Sequence, residues 1–135
     1  MKIFGFLAIV LFFLAACSGG SAVSKQLAGS DSLVINFNEP QTNNIEKTMT
    51  TTESKAIKKL AGYVDGKKAE EYKCGYDGNL VFYKDGLLLG DVAFNYSGNG
   101  CRHFIQSVDG KLSSSTMSNE AADLLKSLAE GKGWY

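Results

Sequence analysis

Leu80-Val81-Phe82-Tyr83-Lys84-Asp85-Gly86-Leu87-Leu88-Leu89-Gly90-Asp91-Val92-Ala93-Phe94-Asn95-Tyr96-Ser97 is the stretch that decides the fold. Two β-prone runs flank Asp85-Gly86, a dipeptide suited to the left-handed conformations of a two-residue hairpin turn. The signal repeats. Asp77-Gly78, Asn99-Gly100 and Asp109-Gly110 punctuate the sequence on either side, and Arg102 to Val108 and Lys111 to Met117 supply two more runs. Four strands joined in this way make an antiparallel meander.

The turns also imply a register. Asp85-Gly86 sets Tyr83 opposite Leu88 and Val81 opposite Gly90; Asn99-Gly100 sets Phe94 opposite Ile105 and Tyr96 opposite His103. One face then carries Val81, Tyr83, Leu88, Val92, Phe94 and Ile105 as a core. The other carries Asp91, Asn95, Arg102 and Gln106, but also Leu80, Phe82, Leu89 and Phe104. A face so apolar calls for a cover or a partner.

Upstream, Leu33 to Asn38 reads as a strand, Glu39 to Asn44 as a turn, and Ile45 to Thr51 as its hairpin partner. Thr50 and Glu53 have the spacing of a capping box. Ile57, Leu60, Ala61 and Val64 follow at helical spacing, and Asp65-Gly66 ends the run. Downstream, Ser118 caps a second helix with Ala121, Leu124, Leu125 and Leu128 on its apolar stripe and Gly131 at its close. Trp134 and Tyr135 form an aromatic tail expected to pack on the core, with a docking handle as the alternative. The fold class expected is α+β: an antiparallel β-meander sheet with two helices packed on one face.

The N-terminus has another character. Lys2 precedes an uncharged apolar run from Ile3 to Ala16, followed by Cys17-Ser18-Gly19-Gly20-Ser21. A basic start, a short apolar core and small residues before a cut site make a secretory signal. The run is shorter than the ~20 residues a membrane-spanning helix needs. Leu14-Ala15-Ala16-Cys17 resembles the lipobox of bacterial lipoproteins. The resemblance covers Met1 to about Ser21. It implies cleavage before Cys17, a thioether-linked diacylglycerol on the Cys17 thiol, palmitate-like acylation and a permanent membrane anchor. Ser18, where Asp would commonly signal inner-membrane retention, leans the address to the outer membrane of the cell envelope. The expected organisation is 1–16 as cleaved signal peptide, 17–32 as lipidated Cys and flexible Gly/Ser/Ala tether, and 33–135 as a single α+β domain.

Once Cys17 is lipidated, Cys74 and Cys101 remain. An even pair in an exported domain reads most simply as a disulfide, worth ~3–4 kcal/mol on the chain-entropy estimate. Sequence chemistry beyond that is sparse. The chain carries 14 basic and 14 acidic residues, without a basic patch dense enough for nucleic acid. His103 is the single histidine, two residues from Cys101. A thiol mechanism there needs a free thiolate and a third group, and the register above sets Asp91 on the opposite face from His103. Cys74, Cys101 and His103 are too few for structural zinc. No cofactor or metal motif is present. Tyr72 and Tyr76 flank Cys74 in a Gly-containing bend and are the candidate binding patch. The reading is a membrane-anchored envelope lipoprotein, not an enzyme, with a small non-catalytic binding or structural domain and an envelope protein as a candidate partner. An inhibitor of a secreted or periplasmic enzyme is the alternative, and a carboxylate-dependent hydrolase stands third.

Overall fold

A computed structural model describes residues 22–69, 74–98, 100–108 and 110–134. The lipobox with Cys17, and Tyr72 and Tyr135, lie outside the described residues. Six strands form one antiparallel sheet: β1 (Ser32–Asn38), β2 (Ile45–Thr51), β3 (Gly78–Lys84), β4 (Leu87–Asn95), β5 (His103–Val108) and β6 (Lys111–Thr116). Their order is β2-β1-β3-β4-β5-β6. The expected meander supplies the last four, and the N-terminal hairpin joins it through β1 against β3.

Among the described residues three helices, where two were expected, cover one face: α1 (Ala22–Ala28), α2 (Ser54–Val64) and α3 (Asn119–Ala129). Ile57, Leu60, Ala61 and Val64 of α2 and Ala121, Leu125 and Leu128 of α3 are buried, as their spacing predicts, while Leu124 of the same stripe is partly buried against the core. Ser118 Oγ accepts from Ala121 N–H at 3.1 Å and caps α3. The capping box of α2 does not form. Thr50 belongs to β2, and Thr51 Oγ1 instead accepts from Glu53 N–H at 3.1 Å.

α1 falls inside the stretch read as tether. Its Leu27 is buried in the core, and Ser24 Oγ donates to Ala61 O of α2 at 3.1 Å. Val23 and Leu27 are an i, i+4 apolar pair, enough to dock one short helix although the surrounding composition is that of a linker. Residues 22–28, read as tether, therefore pack as part of the folded unit.

The register differs from the expected one by a single residue, and this decides which residues are core. Asp85 and Gly86, with φ of 50° and 76°, form the anticipated turn, and Tyr83 does face Leu88. A bulge at Phe82/Tyr83 then sets Val81 opposite Asp91 and Phe82 opposite Gly90. Gly90 leaves room there for Leu27 of α1, which a Cβ would meet. Beyond Asn95 the connection is a loop of seven residues, not a two-residue turn, so Phe94 faces Phe104 and Asn95 faces His103. In consequence Leu80, Phe82 and Phe104 lie with Val92 and Phe94 beneath the helices. Val81, Tyr83, Leu88 and Ile105, expected in the core, occupy the helix-free face. The second apolar face is thus the core itself, and the argument for a partner that it carried falls away.

The helix-free face is crossed by a polar row spanning four strands. Thr48 Oγ1 donates to Asn36 Oδ1 at 2.8 Å, Asn36 Nδ2 to Asn79 Oδ1 at 3.1 Å, and Asn79 Nδ2 to Asp91 Oδ1 at 2.8 Å. Trp134 of the tail packs against the core, partly buried.

Candidate functional site

Where β1, β3 and β4 meet the loops of one sheet end, a cleft of about 630 Å³ opens. Three segments wall it: Pro40 to Asn43 of the β1–β2 turn, Gly75 to Asp77 ahead of β3, and Asn95 to Ser97 closing β4.

Asp77 holds two of these segments together. The sequence suggests a turn at Asp77-Gly78, but the pair opens β3. Asp77 Oδ2 accepts from Tyr96 N–H at 2.7 Å and Ser97 N–H at 2.9 Å, and Oδ1 accepts from Ser97 Oγ–H at 2.8 Å. Gly78 is buried between β1 and Phe94; a Cβ there would strike Asn36 O and the Phe94 ring. Asn38 N–H donates to Asp77 O at 2.8 Å and Asn38 Nδ2 to Tyr76 O at 3.3 Å, which ties in β1. Buried Asn95 completes the frame: Nδ2 donates to Gly75 O, and Oδ1 accepts from Gly98 N–H at 3.0 Å.

The Cys74–Cys101 disulfide joins this end of the sheet, with Cα atoms 6.2 Å apart. It links the segment before β3 to the loop after β4, the two walls that Asp77 also bridges. Behind it His103 is 1 % exposed. Its Nδ1–H donates to Cys101 O at 2.6 Å, and its ring lies 6.1 Å from that of Tyr76. Asp91 shares a sheet face with His103, contrary to the expected register, but it is exposed, four residues along β4 from the His103 partner Asn95, and bonded to Asn79. With Cys101 in a disulfide and His103 behind the strand, Cys101, His103 and Asp91 assemble no thiol site. Among the described residues, no group of three His, Cys, Asp or Glu side chains could hold a metal ion.

Tyr76, half of the candidate patch, lines the cleft. Tyr96, which the sequence left among the packing aromatics, forms another wall, its ring 6.0 Å from that of Phe94. Burial first, then the negative charges of Asp77, Glu130 and Glu46, raise the Tyr96 hydroxyl above the ordinary tyrosine range. The remaining lining is largely amide and hydroxyl: Asn38, Gln41, Thr42, Asn43, Asn95 and Ser97. Gln41 holds a left-handed φ of 62°, which bends the turn over the cleft. Pro40 and the Asn43-Asn44 pair marked this segment as a turn, but nothing local showed that it would meet Tyr76 and Tyr96.

Comparison with protein-family models, curated proteins and solved structures finds no match to this chain.

Proposed function

We propose that this chain is a bacterial envelope lipoprotein, anchored through a lipidated Cys17, whose domain binds a neutral polar ligand without transforming it. The lipobox and signal layout support the anchor and, through Ser18, an outer-membrane address. The binding reading rests on the makeup of the cleft. Two tyrosine rings, a proline and a set of amide and hydroxyl groups line it, with Asp77 as the one carboxylate among the described residues, its oxygens taken by three hydrogen bonds. Glycosidase chemistry needs two carboxyl groups flanking a substrate, roughly 5–10 Å apart. The lining fits recognition better: amides match hydroxyl and amide partners, and rings offer flat apolar faces. A glycan segment has both features and is the ligand class we assign.

Titration of the native protein with soluble envelope glycan fragments, followed by amide NMR shifts, tests this. The expected outcome is saturable shifts at residues 40–43, 75–77 and 95–97, weakened about tenfold or more by Tyr96→Ala, as loss of a stacked ring and its hydrogen bond would cause. Turnover of the fragments, or shifts absent from these segments, would overturn the reading. Isolation of the protein in a tight complex with a single secreted hydrolase would replace it with inhibition.

A further inference from the structure

The exposed leucines at the other end of the sheet carry an inference about how the domain sits on its membrane. Among the described residues, four large apolar side chains are well exposed, and three lie toward one end of the sheet: Leu87 at 71 %, Leu88 at 60 % and Leu112 at 71 %. Leu87 and Leu88 pair with Lys84 and Tyr83 as β4 leaves its turn, and Leu112 pairs with Ser107 as β6 leaves the next. Because β4 and β5 are antiparallel neighbours, both turns project from the same end of the sheet. That end is opposite the cleft, whose walls include Asn95 at the far end of β4. Ile45, the fourth exposed side chain, pairs with Asn38 at the cleft end.

The chain enters the domain part-way along β5 and β6. Val23, in the first turn of α1, lines a hollow with Gln106 and Ser113, and Ser113 is the neighbour of Leu112. Cys17 lies five residues before Ala22. At ~3.3–3.6 Å per residue those five residues reach no further than about 18 Å. An acyl chain on Cys17 therefore holds the start of α1 within that distance of a bilayer, and the leucine-bearing hairpin tips are exposed apolar surface able to meet it.

We propose that Leu87, Leu88 and Leu112 dock the domain on the phospholipid bilayer that carries its anchor, with the cleft turned away from the membrane. Charge at the tips is mixed. Lys84 and Lys111 face headgroup phosphates, while Asp31 and Asp85 are joined at the turn, Asp31 Oδ2 accepting from Asp85 N–H at 2.9 Å. Insertion is therefore driven by apolar side chains, and zwitterionic lipid suffices. β4 is nine residues long. At ~3.4 Å per residue it holds the cleft about 27 Å beyond the tips. This proposal rests on the Cys17 anchor above.

The experiment uses the full lipidated chain in phosphatidylcholine vesicles, with Leu88→Trp, Leu112→Trp and Asn43→Trp variants and acyl-brominated lipid as quencher. The native emission of Trp134 is the reference. Insertion to ~5–10 Å predicts about a twofold or greater loss of the added emission at positions 88 and 112, and none at 43. Flotation and intact mass are read on the same samples. A chain that floats with acyl mass but is unquenched at 88 and 112 overturns the docking and leaves the anchor intact. A chain without acyl mass that does not float overturns the anchor and the docking with it. A blue shift at 88 and 112 that needs no lipid and grows with protein concentration assigns the tips to a second copy of the chain and overturns the bilayer. The tip positions are exposed, so the tryptophans are tolerated; an unchanged melting temperature checks this.

Discussion

At Tyr96 one side chain serves both packing and the cleft. Its ring lies against Phe94, its backbone N–H is held by Asp77, and its hydroxyl is raised above the usual tyrosine range by burial and by nearby carboxylates. The folded state thus favours the neutral phenol. Stability from this group is fully present below the unfolded value of about 10 and is lost as pH rises through the higher folded value. Tyr96→Phe is expected to flatten the alkaline arm of a pH–stability profile measured by denaturant unfolding, with no change near neutrality from this source. Gly78 shows a different constraint. Its φ is not left-handed, and what forbids a side chain is the approach of Asn36 O and the Phe94 ring. Gly78→Ala should cost about 1–3 kcal/mol in urea unfolding, the usual range for overpacking a tight site. A neutral result would mean that β1 and β3 can separate there.

Among the elements, α1 is the least apparent and among the more informative. Seven residues cannot hold a helix in water alone. It persists because Leu27 fills the space above Gly90 and Ser24 bonds the α2 backbone. Leu27→Ala should destabilise the domain by about 2–5 kcal/mol, as other buried leucine truncations do. An effect below ~0.5 kcal/mol in thermal unfolding would make α1 a loose appendage and return residues 22–28 to the tether. α3 is the opposite case, with both ends secured locally: Ser118 at the start, and at the close Gly131 N–H to Leu128 O at 3.0 Å and Lys132 N–H to Ser127 O at 2.9 Å. Lys47 of β2 adds a tertiary clasp, its Nζ donating to Leu128 O at 2.9 Å at the negative end of the helix. Ser118→Ala should cost about 1 kcal/mol, read from the same unfolding curves.

Across the whole molecule the sheet has two differentiated ends. One is pinned by the disulfide, framed by Asp77 and Asn95, and hollowed into a polar cleft. The other presents leucine-tipped hairpins. Reduction of Cys74–Cys101 frees two cleft walls that the hydrogen bonds of Asp77 and Asn95 must then hold. Reduced protein is expected to lose ~3–4 kcal/mol of stability. It should also bind glycan fragments more weakly at temperatures well below its melting point. Unfolding measured with and without reductant checks the first, and titration of the reduced but folded protein the second. Equal affinity in both forms would show that the hydrogen-bonded frame suffices.

The sequence alone determined the kind of fold and the disulfide pair. Asx-Gly turns, β-prone runs and helical apolar spacing are local signals, and they act through backbone conformations that neighbouring residues decide. They mark β3 to β6, both longer helices and the N-terminal hairpin. The tertiary structure decided the register, the third helix and the cleft. A bulge at Phe82/Tyr83 sets Phe82 opposite Gly90, where Leu27 packs from sixty-odd residues away in the chain, and one slipped residue exchanges the two faces of a strand. The cleft joins turns at residues 40–43, 75–77 and 95–97 that carry no mutual signal. Tyr76 was legible as an aromatic beside a cysteine; Tyr96, Asn95 and Gln41 became a site when packing brought three separate loops to one end of the sheet.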